Sequence, residues 1–407
     1  MLNVEGVQPM TINEQNGKVT VALEGRIDTN NAPQVEKEIF GAVEGKTSDI
    51  IIDAAKLEYI SSAGLRVLMK LRKSIGKPLP VINVSRDVYD IFETTGFTEL
   101  LDVKKAMREL NIDGCAQIAA GGQGKIYRID DETIVKVFCN SGVIPLDFVQ
   151  EELNNAKAAF VAGVPTAISF DTVKCGEYYG IVYEMIDSKT LSKAIVDEPG
   201  KIEAFAEKYA AFIKDFQSIH VPGGKFKQSR DIYNQKIEAL KTWITEDELA
   251  VMHEIADSIP VTDTLIHGDP HSGNIMIKDD ELMFIDMTEV SYGPKCLDNA
   301  AIFRDLISAA QNTPEACEHN MGLPAPLSAQ LGQLFFMKYS GISDPAQLGE
   351  YLKAAGLASA FNIGANIGAY AVVNEMARQK MPGVVEKLIR GVIIPNKDAL
   401  KYLLSAQ

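Results

Sequence analysis

The stretch Leu265–Glu289, LIHGDPHSGNIMIKDDELMFIDMTE, sets several carboxylates and one amide around two short apolar runs. Ile275-Met276-Ile277 and Leu282-Met283-Phe284-Ile285 flank a polar turn at Lys278 to Asp280, which reads as loop, strand, turn, strand. A hairpin of that kind brings Asn274, just ahead of the first strand, close to Asp286, just past the second. One carboxylate with one neutral amide suits Mg2+, which takes oxygen ligands and keeps its other positions for water and phosphate oxygens. Asp269, five residues before Asn274, is then left to accept the proton of an attacking hydroxyl or amine. The pattern points to phosphoryl transfer. The plain alternative is a polar hairpin with an Asp-rich turn.

The 407 residues suffice for two or three compact units with sizeable cores. No run approaches the roughly eighteen uninterrupted apolar residues that span a bilayer, and Met1 to Pro9 is too polar for a signal peptide, so a cytoplasmic location is expected. The five cysteines are odd in number and scattered without a C-x-x-C pair, which suggests neither a disulfide framework nor a zinc site. A formal charge of −15 disfavours nucleic acid or an anionic membrane as partner. It would favour cationic ligands only where the acid lines a pocket; a solvated acidic surface is the simpler reading.

The first hundred residues read as an α/β unit. Val19 to Leu23, Ser48 to Asp53 and Leu79 to Asn83 are strand-like, the second as a continuous apolar run suited to a buried strand. Helical patterns at Asn30 to Val43, Ser62 to Ile75 and Arg86 to Glu93 separate or follow them, giving a small sheet covered by helices on one face. At Tyr59-Ile60-Ser61-Ser62-Ala63-Gly64-Leu65 a strand gives way to a helix through small hydroxyl residues. A phosphate here would meet unpaired N–H groups and a positive dipole end; a simple serine N-cap explains the same residues. Val103 to Ile112 reads as a short helical or turn-rich connector, not a flexible linker.

Ala119 to Gly124 then forms a Gly-rich turn, with Gly121, Gly122 and Gly124 able to let backbone N–H groups approach phosphates. A plain hairpin turn is as consistent with the loop alone. Lys136, inside the apolar strand Thr133 to Phe138, needs an anionic partner. Glu151 and Glu152 lie on the helical segment Leu146 to Phe160, and one of them can reach it. From Ser192 onward the pattern is mainly helical, with helices expected at Lys201 to His220, Leu297 to Gln311, Ser328 to Tyr339, Pro345 to Ala355 and Gly364 to Gln379. His220 reads as structural.

Two resemblances extend this reading. Residues 4 to 105 resemble a STAS domain, the fold of bacterial anti-sigma-factor antagonists, through Leu23-Glu24-Gly25-Arg26-Ile27-Asp28, Ser61 to Leu65, Asn83-Val84-Ser85 and Thr95-Gly96-Phe97. That resemblance implies a phosphoacceptor at Ser62, although Ser61 and Ala63 stand where the family commonly has Asp and a second hydroxyl. Residues 115 to about 400 resemble the aminoglycoside phosphotransferase and choline kinase branch of the protein-kinase-like fold. The motif is His267-Gly268-Asp269, four residues, Asn274, then Asp286. The resemblance implies Asp269 as catalytic base, Asn274 and Asp286 as magnesium ligands, and Asp298 as a structural Asp. It also implies Glu152 as the partner of Lys136, and an adenine held by main-chain groups near Glu184 and Ile186 on an edge strand and hinge.

The expected architecture is thus an α/β STAS-like domain over 1–105 and a connector over 106–114, followed by an α+β bilobal kinase-like domain. Its N-lobe would span 115–187 and its mainly helical C-lobe 188–407. Gly268 replaces the Arg of eukaryotic protein kinases, and no Phe-Gly follows Asp286, so an activation loop held by a phosphate is not expected. The leading expectation is an ATP- or GTP-dependent, Mg2+-dependent phosphotransferase acting on a small molecule, with the STAS domain meeting a protein partner. Alternatives are a protein kinase or autokinase acting on Ser62, or a nucleotide-binding scaffold.

Overall fold

The computed structural model describes residues 10–15, 18–44, 49–121, 123–140 and 144–405. The chain divides into two compact units, Met1–Glu109 and Leu110–Gln407. Among the described residues no helix is long and apolar enough to cross a membrane.

The first unit is a sheet of β1 (Met10–Gln15), β2 (Lys18–Ile27), β3 (Asp49–Ile60), β4 (Pro80–Val84) and β5 (Asp102–Lys105), in that spatial order. β1 is antiparallel to β2 and the rest are parallel. The crossovers carry α1 (Ala32–Val43), α2 (Ser62–Ile75) and α3 (Arg86–Thr94). Val19, Val21 and Leu23 on β2 and Ile50, Ile52 and Ala54 on β3 are buried, while the residues between them are only half-buried. The helices therefore cover one face. The expected continuous burial of the Ile50 run is corrected to an alternating strand, because the other face is open. The expected connector also changes: Val103, Lys104 and Lys105 belong to β5, and the Leu110 amide donates to the Lys174 carbonyl at 2.8 Å, tying the incoming chain to the second unit.

In the second unit, β6 (Ala116–Ala120), β7 (Lys125–Arg128), β8 (Thr133–Val137), β9 (Ser169–Cys175) and β10 (Tyr178–Glu184) form an antiparallel sheet. Across it the order is β9, β10, β8, β7, β6, so β10 is an interior strand rather than the expected edge. α4 (Leu146–Val161) packs on this sheet through Val149 and Leu153, which share a buried cluster with Phe138 and Ile181. The remainder is mainly helical and holds two larger cores, one around Tyr209, Phe216, Phe284 and Phe335, the other around Tyr233, Met252, Phe361 and Ile389.

The sequence expectation of separate helices at Pro345 to Ala355 and Gly364 to Gln379 is corrected to one helix, Pro345–Val373, followed by Glu375–Val384. Its glycines are contact points: a Cβ on Gly364 would lie 2.5 Å from Ile393 Cδ1, and one on Gly368 2.6 Å from Leu240 Cδ2. His220 is not a core residue. It lies exposed past the helix Ile202–Phe216 and pairs with Asp263 at 2.8 Å.

Candidate active site

The strands Ile275–Lys278 and Glu281–Phe284 pair in register from Ile275 opposite Phe284 to Lys278 opposite Glu281. Asp279 and Asp280 both take positive φ (51° and 72°), the conformation that a two-residue hairpin turn requires. Past the hairpin the Ile285 amide donates to the Asn274 carbonyl at 2.9 Å. Asn274 and Asp286 are thereby held at one end of the hairpin, as the sequence pattern expects.

Asp286 has φ of 62° and sits 3.1 Å from Lys136 Nζ. Burial would push its carboxyl up, but the charge of Lys136 and hydrogen bonds from Thr288 and Lys136 outweigh that and hold it at about 2. Lys136 also donates to Glu152 Oε1 at 2.8 Å, and the Glu152 side chain is fully buried. Tyr183 Oη donates to the same oxygen at 3.0 Å, and Thr288 Oγ1 lies 2.7 Å from Glu152 Oε2 and 2.5 Å from Asp286 Oδ1. Burial disfavours the Lys136 charge; Asp286 and Glu152 overcome it and raise its pKa. Glu152 is the partner, as expected, and Glu151 pairs at the surface with Lys227.

The loop before the hairpin is held from beneath. Gly268 takes φ of 82°, and a Cβ there would lie 2.8 Å from the Glu289 carbonyl oxygen, which explains glycine where protein kinases place arginine. The carboxylate of Asp298, fully buried, accepts the Gly268 amide at 2.8 Å and the His267 amide at 3.1 Å. Burial pushes Asp298 up to about 6 against those hydrogen bonds, and it pushes the enclosed His267 down to about 4. Tyr209 Oη hydrogen-bonds the Pro270 carbonyl, and Ser192 and Ser272 pair through their hydroxyls at 2.8 Å.

Asp269 lies on this loop with its side chain 38% exposed. Asn274 Nδ2 donates to its backbone oxygen at 3.1 Å, which leaves the Asn274 amide oxygen for a ligand. Burial would raise Asp269, but the charges of His271 and Arg304 hold it below the usual carboxylate range. Arg304 Nη2 stands 2.5 Å from Asp269 Oδ1. Neither Arg304 nor Thr288 is legible as a site residue in the sequence; the signal available for the first is a charged Arg-Asp pair inside the otherwise apolar run from Ala300 to Ile307.

The Gly-rich turn joins β6 to β7. Gly124 is obligatory, since a Cβ would lie 1.9 Å from the Val137 carbonyl oxygen, whereas Gly121 has open space around it. Gly122 lies outside the described residues. At the hinge, the Glu184 amide is taken by the Ile168 carbonyl at 2.9 Å and the Met185 amide by the Glu132 carbonyl at 2.6 Å. Of the main-chain groups near Glu184 and Ile186, the Glu184 amide is thus engaged within the fold, while the Ile186 amide makes no backbone hydrogen bond among the described residues.

An N-lobe sheet and helix that pair Lys136 with Glu152, joined to a mainly helical lobe carrying Asp269, Asn274 and Asp286, define a phosphotransferase with a kinase-like fold, here preceded by an α/β unit of a different kind. The family model described as "Phosphotransferase enzyme family" matches residues 115–317, and the STAS domain model matches residues 9–110. Over its first unit the chain belongs to the STAS family, and its second unit is a phosphotransferase-family domain.

The first unit is 30% identical over 97 residues to a candidate anti-sigma factor antagonist, BtrV, of Bordetella bronchiseptica, covering 23% of this chain and 84% of that protein. It is 28% identical over 98 residues to the anti-sigma-B factor antagonist of Listeria monocytogenes, with the same coverage. Among solved structures, the aminoglycoside-3′-phosphotransferase of type VIII is 17% identical, with 59% of this chain and 92% of that one covered and a TM-score of 0.40. A thermostable variant of the aminoglycoside phosphotransferase APH(4)-Ia, in ternary complex with AMP-PNP and hygromycin B, is 13% identical, with 68% and 93% covered and a TM-score of 0.44.

Proposed function

We propose that the second unit transfers the γ-phosphoryl group of ATP or GTP to a hydroxyl or amine of a small molecule, with Mg2+ as cofactor. The observation that carries this reading is the convergence of Lys136, Glu152 and Asp286 beside the loop that bears Asp269 and Asn274. Lys136, oriented by Glu152, would hold the phosphates; Gly121 and Gly124 would bring the loop backbone against them; Ile186 would read the base through its amide. Asp269 would accept the proton of the acceptor.

The residues fit a magnesium ion. Asp286 is ionised across the physiological range, and Asn274 has its oxygen unspent. Among the described residues no group of three or more His, Cys, Asp or Glu could hold a metal by itself, so water and nucleotide oxygens would complete the shell. Bound there, the cation would neutralise charge gathering on the transferred phosphoryl group.

In the same reading the STAS unit is an interaction module. Ser61 is the N-cap of α2, accepting the Gly64 amide at 3.4 Å, so Ser62 is spared that role and stands exposed in the first turn. A phosphate placed on Ser62 by a partner kinase would lie at the positive end of the helix.

The test is labelled ATP and GTP offered with a library of amino sugars, amino alcohols and sugars. Transfer to one chemical class, abolished in Asp269→Asn, is the expected result. Uniform absence of transfer across the library sinks the proposal.

A further inference from the structure

One half-buried charge in the site has no part in the chemistry above. Arg304 begins a π-helical turn, Arg304–Ser308, and its guanidinium is fixed on several edges. Nε and Nη2 form a fork on Asp305, at 2.8 and 2.7 Å, and Nη1 donates to Asn362 Oδ1 at 3.0 Å. Asn362 is itself held, donating to Tyr233 Oη at 2.7 Å, and Tyr233 stacks on Phe361 with ring centroids 5.4 Å apart.

What this frame holds is Asp269. Arg304 Nη2 takes Oδ1 at 2.5 Å, a short charge-assisted contact. Oδ2 has only longer contacts, with Asn274 Nδ2 at 3.4 Å and His271 Nε2 at 3.6 Å. The carboxylate is therefore pinned through one oxygen and open at the other. A base fixed in that way meets an acceptor along a defined direction, and pre-set orientation is worth orders of magnitude in rate. A planar guanidinium, itself immobilised, supplies that orientation better than a flexible ammonium.

We infer that Arg304 is a positioning residue for the transfer: it anchors Asp269 through Oδ1 so that Oδ2 meets the acceptor, with Asp305 and Asn362 fixing Arg304 in turn. The inference rests on Asp269 being the base. Among the described residues Arg304 forms ion pairs with Asp269 and Asp305 and none with Glu152 or Asp286, the partners of Lys136, so its loss should spare nucleotide binding.

The experiment uses the full chain and follows turnover of Mg·ATP with water as acceptor, alongside ATP affinity and thermal melts. Wild type, Asp269→Asn, Arg304→Gln, Arg304→Lys, Arg304→Ala and Asn362→Ala are compared. Expected are a loss of kcat of roughly 10- to 100-fold in Arg304→Gln with ATP affinity within about threefold of wild type. Arg304→Lys should recover part of the rate and Asn362→Ala should lose less than Arg304→Gln. Guanidinium ion added to Arg304→Ala should restore turnover, which a merely structural role would not allow. A wild-type rate in Arg304→Gln, or a loss that guanidinium leaves untouched in a normally melting Arg304→Ala, overturns the inference while the role of Asp269 stands. A wild type that turns over no more ATP than Asp269→Asn overturns both.

Discussion

At the scale of single residues, the site is dominated by one buried pair. Glu152 is fully buried and Lys136 nearly so, so neither charge can return to water if its partner is removed. Lys136→Met is expected to destabilise the second unit by about 3 kcal/mol, because it strands a buried carboxylate. Adding Glu152→Gln should return part of that loss, and urea titration of the two single variants and the double variant measures the coupling. Equal destabilisation by the single and double variants would show that Tyr183 and Thr288 alone suffice to hold Glu152. The residues readable from the sequence are those whose chemistry is local. Asp269, Asn274 and Asp286 sit at fixed spacings on one hairpin and the loop leading into it, and Lys136 is a charge in an apolar strand. Arg304 and Thr288 act through approaches set by tertiary packing, Arg304 across 35 residues and Thr288 across 136, and no spacing encodes those.

Secondary-structure elements show the same division between local and distant causes. The hairpin Ile275–Phe284 is legible because its turn chemistry and apolar runs are contiguous; the long helix Pro345–Val373 is not, because its glycines read as breaks until Phe303, Leu240 and Ile393 are seen against them. The Gly-rich turn allows a sharp contrast. Gly124→Ala drives a methyl into the Val137 carbonyl and should abolish nucleotide binding or unfold the strand pair, whereas Gly121→Ala meets open space and should keep affinity within a few-fold. Fluorescent nucleotide titration of both variants checks this, and equal affinities would remove the loop from the nucleotide site.

A second element-scale prediction concerns the helix Glu246–Asp257. Thr245 and Glu248 form a reciprocal capping box, and Arg390 adds contacts of 2.6 and 3.1 Å to the Glu248 carboxylate. Hydrogen bonds from Arg390 and from the Thr245 amide lower Glu248 to about 2, below its unfolded value of 4.5. A carboxyl lowered on folding stabilises above the unfolded pKa, and that contribution is lost as pH falls toward the folded one. Glu248→Gln should therefore cost about 1 kcal/mol at pH 7, with the gap to wild type closing between pH 4.5 and 2. A gap independent of pH in chemical denaturation would assign the cost to packing instead.

For the whole molecule, the decisive feature is that the two units have separate cores. The buried cluster of the first runs from Met10 to Leu101, and the buried residues in those of the second begin at Val135, with Leu110, Ile112, Tyr127 and Ile129 packed half-buried against one of them. Fragments 1–105 and 106–407 are expected to unfold cooperatively on their own, the larger one keeping nucleotide affinity. That independence bears on how a phosphotransferase joined to a STAS unit should be understood. If the second unit serves a small-molecule acceptor, any phosphate on Ser62 must come from another kinase, and the purified chain incubated with Mg·ATP should gain no mass. The Ser62→Ala and Asp269→Asn variants should then behave as wild type in intact-mass measurement. A gain of one phosphate requiring both Ser62 and Asp269 would reverse the assignment: the exposed first turn of α2 would be the acceptor, and the chain a self-modifying kinase. The two outcomes differ by a single phosphate on one serine, which mass resolves directly, and fragments decide between transfer within a chain and between chains. A mixture of 1–105 with 106–407 that becomes phosphorylated only at high concentration would mark the covalent link as the device that brings acceptor and catalyst together.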